Sequence, residues 1–133
     1  MAVKVRVLDA LKARDGGICV AQGPNCLGEG LVPHHRANRG SGAAKALDGM
    51  SNLLLLCSLC NGWVEDSHGA DRDDLIRRGI RLMPDSLHAK TALRALVTPV
   101  EYPDGIEYYL LDDGTREEVE DGEGRTPIHD VPE

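Results

Sequence analysis

Four cysteines are the residues of this sequence whose type and spacing point most clearly to chemistry. Cys19 and Cys26 enclose six residues, and Cys57 and Cys60 enclose two. Thiolates at such spacings can converge on one tetrahedral zinc ion from two knuckles. A redox C-x-x-C motif would leave the first pair without a role, and a set of buried free cysteines is the remaining alternative. The pattern predicts a closed, structural zinc site that uses all four sulfurs.

Two adjacent histidines, His34 and His35, lie between the cysteine pairs. In a regular strand they would point to opposite faces of the sheet, so they can serve one site only at a strand end or an irregularity. Pro33 and the loop that follows Arg36 are compatible with such an end. A neutral imidazole can bind a metal ion or accept a proton near pH 7, which makes the pair a candidate site. Chance placement on the surface is the alternative.

The elements that must position these groups are short. The sequence predicts a helix over residues 3–14, a strand over 31–35, a glycine-rich loop over 36–51, a buried strand over 52–57 and a helix over 58–68. Further helices are predicted over 70–79 and 85–96, the second beginning with Asp85 and Ser86 as a capping pair, and a β-hairpin over 107–119. Residues 120–133 are acidic, rich in Gly and Pro, and predicted to be disordered.

Length and composition limit the class of protein. The chain has 133 residues, of which 41% are apolar and none is Phe, so we expect one small core built from aliphatic side chains. No apolar run reaches the ~20 residues that span a bilayer. Lys4, Arg6 and Asp9 interrupt the N-terminus where a signal peptide needs an apolar stretch. We therefore expect a cytoplasmic protein, in which paired cysteines bind metal more often than they form disulfides.

Charge is unevenly distributed along the chain. Residues 1–50 carry a formal charge of +3, residues 51–100 carry zero and residues 101–133 carry −10, which together give the overall −7. The acidic total argues against a general nucleic-acid coat protein. The mildly basic N-terminal part can nevertheless meet phosphate.

The order of these features adds information that no single feature carries. A cysteine pair, His-His, a glycine-rich loop, an Asn before an apolar run, C-x-x-C and a polar helix follow one another. This order resembles the HNH endonuclease family, in the form with two zinc knuckles that is common among phage and bacterial members. The resemblance covers residues 19–68, about fifty of the 133, and CNGWVE at 60–65 is similar to the CHGWVE-type segment of actinobacterial phage members.

The resemblance implies an α+β fold, namely a small zinc-stapled ββα-metal (HNH) domain with flanking short helices and a C-terminal β-hairpin. Residues 1–70 would form the nuclease core with its zinc knuckles. Residues 71–119 would form a helical and hairpin extension packed on that core, and residues 120–133 an acidic tail.

The resemblance also implies roles for individual residues. His34 would be a ligand of the catalytic metal, and His35 the general base that takes a proton from water. Asn52, the middle letter of the motif, would hold the loop and the base through hydrogen bonds. Asn61 stands where a final histidine is often found, as the second protein ligand. Glu65 corresponds to a second helical histidine of some relatives and is a further candidate ligand, with a solvated carboxylate as the alternative.

The asparagine at position 61 bears on the choice of metal. An amide carbonyl is a hard, neutral donor, so His34 with Asn61 would hold a cation weakly and leave positions for water or phosphate. This favours Mg²⁺ or Mn²⁺. Since imidazole is softer than the Asp usual in magnesium sites, Ni²⁺ and Zn²⁺ stay open.

The implied activity is metal-dependent hydrolysis of DNA phosphodiester bonds. Arg36, Arg39 and Lys45 are candidate phosphate contacts, with solvated surface charge as the alternative. DNA is the expected partner and a membrane is not. By analogy alone, phage packaging (terminase) proteins are candidate partners, and a phage-encoded chain would act in the host cytoplasm. The rival interpretation is a catalytically decayed HNH-derived zinc module that binds DNA or a protein, in which Asn61 is a lost ligand.

Overall fold

Residues 5–38 and 45–120 of the chain are described by the computed structural model. They form a small domain of four α-helices and two antiparallel sheets, which confirms the predicted α+β class. In chain order the helices and strands are α1 (Val5–Asp15), β1 (Val32–His35), β2 (Leu53–Leu56), α2 (Ser58–Asp66), α3 (Gly69–Arg77), α4 (His88–Val97), β3 (Val100–Glu101), β4 (Glu107–Leu110) and β5 (Arg116–Glu118). Two single-turn 3-10 helices, Lys45–Leu47 and Met50–Asn52, precede β2. Residues 39–44 of the predicted loop and 121–133 of the predicted tail lie outside the described residues.

Strand β2 is the centre of the domain. It pairs antiparallel with β1, so that His34 lies opposite Leu54 and His35 opposite Leu53. Leu54 and Leu56 belong to one buried cluster, and Leu53 and Leu55 belong to another. Because successive side chains of a strand point to opposite faces, four consecutive leucines are buried together only when both faces are covered.

Helix α1 covers one face of β2 with a buried ion pair as well as apolar contacts. Arg14 pairs with Asp15 at 2.8 Å and donates to the carbonyl of Leu53 at 2.6 Å. Asp15 in turn accepts hydrogen bonds from the Leu55 amide at 3.0 Å and from the Tyr102 hydroxyl at 2.5 Å. A buried guanidinium and carboxylate are tolerated only with such partners. The network therefore fixes α1 against β2 and against the chain that leads into β4.

The other face of β2 contacts the main core. Its buried members come from the first cysteine knuckle, from α2 and α3 and from the C-terminal strands, and include Val20, Val64, Leu75, Ile80, Val100 and Leu110. Residues before and after position 70 thus share one apolar cluster. None of the helices within the described ranges is long and apolar enough to span a bilayer.

Helix α4 begins later in the chain than the sequence predicts. Helix α4 begins at His88 rather than Asp85, and its N-cap residue, Leu87, makes no side-chain capping bond. The carboxylate of Asp85 instead accepts from the Ser86 amide at 2.7 Å and from Arg94 at 3.1 Å. The predicted capping pair is therefore wrong, because Asp85 stabilises the turn that precedes the helix.

The predicted hairpin is confirmed. Strands β4 and β5 pair antiparallel, and Gly114 in the turn has a φ of 91°, which an L side chain rarely adopts. Strand β3 adds a third, two-residue strand to this sheet and was not predicted, since two residues carry no periodicity.

Candidate functional site

The four cysteine sulfurs converge between the 19–26 knuckle and the start of α2. The Sγ atoms of Cys19, Cys26, Cys57 and Cys60 all lie within 4.8 Å of one another. Sulfurs bound at about 2.3 Å to a tetrahedral zinc ion are about 3.8 Å apart. The four cysteines therefore form a possible metal site, as predicted from their spacing, and suit an ion such as zinc.

Backbone amides around the sulfurs favour thiolates. The amides of Gly23 and Leu27 point at the sulfurs of Cys60 and Cys57 at 3.2 and 3.4 Å, and the Cys60 amide points at Cys57 Sγ at 3.3 Å. Burial alone would raise the pKa of Cys57, but the amides of Leu27 and Cys60 lower it to about 7. Burial raises the pKa of Cys60. A shared metal cation would stabilise thiolates held this close together.

The residue after the last cysteine turns toward the histidine strand. Cys60 is 1% exposed and faces the sulfur cluster, and each helical residue is rotated by about 100° from the one before. Asn61 consequently points to β1, where its Oδ1 lies 3.1 Å from Nδ1 of His34. Glu65, one turn further along α2, brings Oε2 to 3.7 Å from the same Nδ1. The structure thus brings together the three residues that the resemblance names as metal ligands.

The His34 ring is buried and neutral. It is 2% exposed, and burial lowers its pKa to about 4 although the carbonyl of Ile80 and the side chain of Asn61 oppose the shift. The Ile80 carbonyl lies 3.2 Å from Nε2 and can only accept, so the single ring proton belongs on Nε2. Nδ1 then presents a lone pair to Asn61 and Glu65.

The contact between His34 Nδ1 and Asn61 Oδ1 has the geometry of two metal ligands. With the proton on Nε2, two acceptor atoms face each other at 3.1 Å, a contact that a cation bound by both, or an amide turned by 180°, resolves. Two ligands at right angles, each about 2.1 Å from an octahedral Mg²⁺-type ion, are about 3.0 Å apart. The donor set therefore fits a divalent cation.

The second histidine has a different partner. His35 Nε2 lies 2.9 Å from Oδ1 of Asp48, and the two side chains are 19% and 25% exposed. A carboxylate at that distance accepts a hydrogen bond from the Nε2–H of the neutral ring, which leaves Nδ1 of His35 as the basic atom. The pair joins the end of β1 to the segment that precedes β2.

Asn52 ties the two ends of the intervening loop together. Its side chain, in a residue that is 1% exposed, accepts from the Ala37 amide at 2.9 Å and donates to the carbonyls of Ala37 and Leu47 at 3.1 and 2.8 Å. Its own carbonyl accepts from the Arg36 amide at 2.8 Å. Both polar atoms of the side-chain amide are thus hydrogen-bonded, to residues at the two ends of the loop that follows the histidine pair.

The burial of Arg36 argues against its predicted contact with DNA. The residue is 1% exposed, and its guanidinium donates to the carbonyls of Gly79, Ser51, Ala95 and Thr98. Four of its five N–H donors are used inside the protein, where they tie the end of β1 to the chain around α4. Arg39 lies outside the described residues. Lys45 is exposed in the first 3-10 turn, and its contact with phosphate stays a prediction.

A cleft of about 310 Å³ opens beside the two histidines. Its lining includes His34, His35, Glu65, Arg72, Arg81 and Met83. Sequence reasoning missed Asp48, which contacts His35, and also Arg72 and Arg81, which line the cleft, because only tertiary packing brings these residues to the site. The sole signal in the sequence was that α3 and the segment after it are rich in arginine.

Comparison of the chain with protein-family models, with curated proteins and with solved structures gave no match. Its function is therefore inferred from its own residues and their geometry.

Proposed function

We propose that this chain is a metal-dependent endonuclease that hydrolyses DNA phosphodiester bonds, with β1, β2 and α2 as the ββα-metal unit of an HNH nuclease. One observation carries the proposal: His34 Nδ1 and Asn61 Oδ1 face each other at 3.1 Å, next to the His35–Asp48 pair. A candidate metal site and a candidate base thus adjoin one cleft.

The cation would be held by His34 and Asn61, with Glu65 close enough to join them. A divalent cation bound there would neutralise negative charge on the phosphate and on the departing 3′ oxygen. A site with an amide oxygen binds cations weakly and favours Mg²⁺ or Mn²⁺, whereas the imidazole keeps Ni²⁺ and Zn²⁺ as candidates.

His35 would accept a proton from the attacking water. Because the Nε2–H of His35 donates to Asp48, the lone pair of Nδ1 would be the base, and the carboxylate would stabilise the imidazolium that forms. The water oxygen bonds to phosphorus while the bond from phosphorus to the 3′ oxygen breaks. The proton then passes from His35 to the 3′ oxygen or to solvent. The products are a 5′-phosphate and a 3′-hydroxyl.

The four-cysteine site would hold a structural zinc ion. It joins the 19–26 knuckle to the first turn of α2, directly before Asn61. Since such ions contribute folding free energy, zinc would keep Asn61 in register with His34.

The test is cleavage of supercoiled plasmid DNA by the purified chain with Mg²⁺, Mn²⁺, Ni²⁺ and Zn²⁺ in turn. We expect nicking or linearisation with at least one ion. His35→Ala should abolish cleavage while zinc content and melting temperature are retained. Arg77→Ala is the matched control, because Arg77 is exposed and paired with Asp74 and Glu101. A chain that is inert with every ion contradicts the proposal.

A catalytically decayed zinc module that binds DNA or a protein is the second candidate. It is favoured if the Asn61 amide is turned by 180°, because the amide nitrogen would then donate to His34 Nδ1 and close the site without a cation. Calorimetric titration of Mn²⁺ into zinc-loaded protein separates the two. A second bound ion, lost in Asn61→Ala, supports the nuclease, and a single zinc ion under all conditions supports the decayed module.

A further inference from the structure

The cleft beside the histidines is basic in an otherwise acidic chain. The chain carries a net charge of −7, yet among the described residues the charged side chains that line the cleft are Arg36, Arg72, Arg81 and one acid, Glu65. Arg36 is buried beneath the surface and bound to carbonyls. The guanidinium groups that a ligand can meet therefore belong to Arg72 and Arg81.

Arg72 is distinguished by the lack of an anionic partner. It is half-buried on α3, and the one side-chain contact of its guanidinium is a 3.1 Å approach to the sulfur of Met83, which is a weak acceptor. Within residues 5–38 and 45–120, no carboxylate lies within 4.0 Å of it.

The other arginines nearby are already engaged. Arg77, on the same helix, pairs with Asp74 at 2.8 Å and with Glu101 at 3.2 Å. Arg81 donates from Nη1 to the carbonyls of Val64 and Glu65, at 2.6 and 3.2 Å, and so caps the C-terminal end of α2. Arg72 alone of these presents nearly its full set of donors to the cleft.

We propose that Arg72 binds a phosphodiester of the nucleic acid that enters this cleft. The inference rests on the proposed function, because it assumes that the scissile phosphate lies at the His34–Asn61 site. A guanidinium has five N–H donors in a planar fork that matches two phosphate oxygens, and binding would exchange the thioether contact with Met83 for ionic hydrogen bonds. This contact would hold the DNA strand against α3, beside His35, the proposed general base. Such a contact is independent of base sequence.

The test uses full-length, zinc-loaded protein that carries His35→Ala, so that bound DNA is not cut. Binding of a fluorescent duplex oligonucleotide is measured by anisotropy between 50 and 200 mM NaCl, in the parent and after adding Arg72→Gln or Arg77→Gln. Both second substitutions remove one positive charge from the same helix, and only the first removes it from the cleft. Zinc content and melting temperature report on folding for each.

We expect Arg72→Gln to weaken binding about tenfold, and to reduce the slope of log K against log salt by about one. Arg77→Gln should stay within about twofold of the parent. Arg72→Lys should recover the salt slope but only part of the affinity, since an ammonium group cannot bind two oxygens in a fork. This pattern supports a phosphate contact.

Several outcomes overturn the inference, and they can be told apart. Equal affinity and equal salt slope in the parent and in Arg72→Gln remove Arg72 from the interface but leave the nuclease proposal standing. A parent that binds no DNA at any salt concentration overturns both. Inorganic phosphate and a deoxynucleoside monophosphate serve as further probes. If either binds as tightly as the oligonucleotide and Arg72→Gln loses both equally, the site takes a free phosphate ligand and not a nucleic-acid strand.

Discussion

Replacement of Arg36 by methionine tests whether this residue holds the fold together or contacts DNA. The guanidinium donates to four carbonyls, those of Gly79, Ser51, Ala95 and Thr98, at distances of 2.7, 2.7, 2.9 and 2.8 Å. Methionine fills a similar volume but offers no donor. The substitution therefore removes hydrogen bonds that join the end of β1 to the chain on both sides of α4.

The size of the effect follows from two opposing free energies. A buried carbonyl left without its donor costs about 1–3 kcal/mol, so four cost about 8 kcal/mol. Removal of the charge offsets part of this cost. Burial lowers the pKa of Arg36 from 12.5 to about 9, which corresponds to about 5 kcal/mol of unfavourable charge burial. We expect Arg36→Met to lower the free energy of unfolding by about 3 kcal/mol, a large part of the stability of a small domain.

Urea unfolding followed by the fluorescence of Trp63, at a fixed excess of zinc, measures this loss. Lys45→Met is the matched control, because Lys45 is exposed and its substitution should change the free energy by no more than about 0.5 kcal/mol. Arg36→Lys should recover less than half of the loss, since one ammonium group cannot reach four carbonyls. If Arg36→Met unfolds like the wild type but binds DNA more weakly, the guanidinium reaches DNA and the reasoning is refuted.

Three further predictions concern His34, Asp48 and the cysteine site. Burial lowers the pKa of His34 to about 4, below the usual 6.5, so the unfolded state takes up the proton first on acidification. The free energy of unfolding should fall by about 3 kcal/mol between pH 6.5 and pH 4, and its dependence on pH should be weaker in His34→Asn. If urea unfolding gives the same pH dependence for both proteins, the ring is not buried as described. Asp48→Asn should reduce the single-turnover rate constant of cleavage by about 10- to 100-fold with DNA affinity unchanged. An unaltered rate constant would remove Asp48 from the mechanism. Chelation of zinc should unfold the 19–26 knuckle and shift the fluorescence of Trp63. The Trp63 ring packs against Gly23 of this knuckle, so closely that a Cβ added to Gly23 would lie 2.6 Å from Cε3. An emission spectrum that is unchanged on metal loss would contradict a structural role for the metal.

Much of the fold could be predicted because its signals are local. The run Leu53–Leu56 predicts a buried strand on composition alone, and Asp113-Gly114 predicts the turn between β4 and β5. The two cysteine pairs meet as expected, since metal-type spacing specifies a cluster before any tertiary structure is known. The start of α4 was misplaced, because Asp85 stabilises a turn just as readily as a helix end.

The surroundings of the histidines could be predicted less well, because they depend on burial and on distant partners. Arg36 is of a residue type that often contacts phosphate, and nothing in its neighbours along the chain indicates that its guanidinium binds four carbonyls. Asp48 meets His35 across a loop whose two ends are held by hydrogen bonds of Asn52. Arg72 becomes a candidate ligand group only when its lack of a carboxylate partner is visible, a property of the folded surface and not of the sequence.

The proposed nuclease needs one divalent cation bound between Nδ1 of His34 and Oδ1 of Asn61. An anomalous difference map from crystals of the zinc-loaded protein soaked in Mn²⁺ tests it most directly. We expect a manganese peak about 2.2 Å from both atoms, separate from the zinc peak among the four cysteines. A zinc peak alone, with the Asn61 amide nitrogen turned toward His34, would contradict the claim.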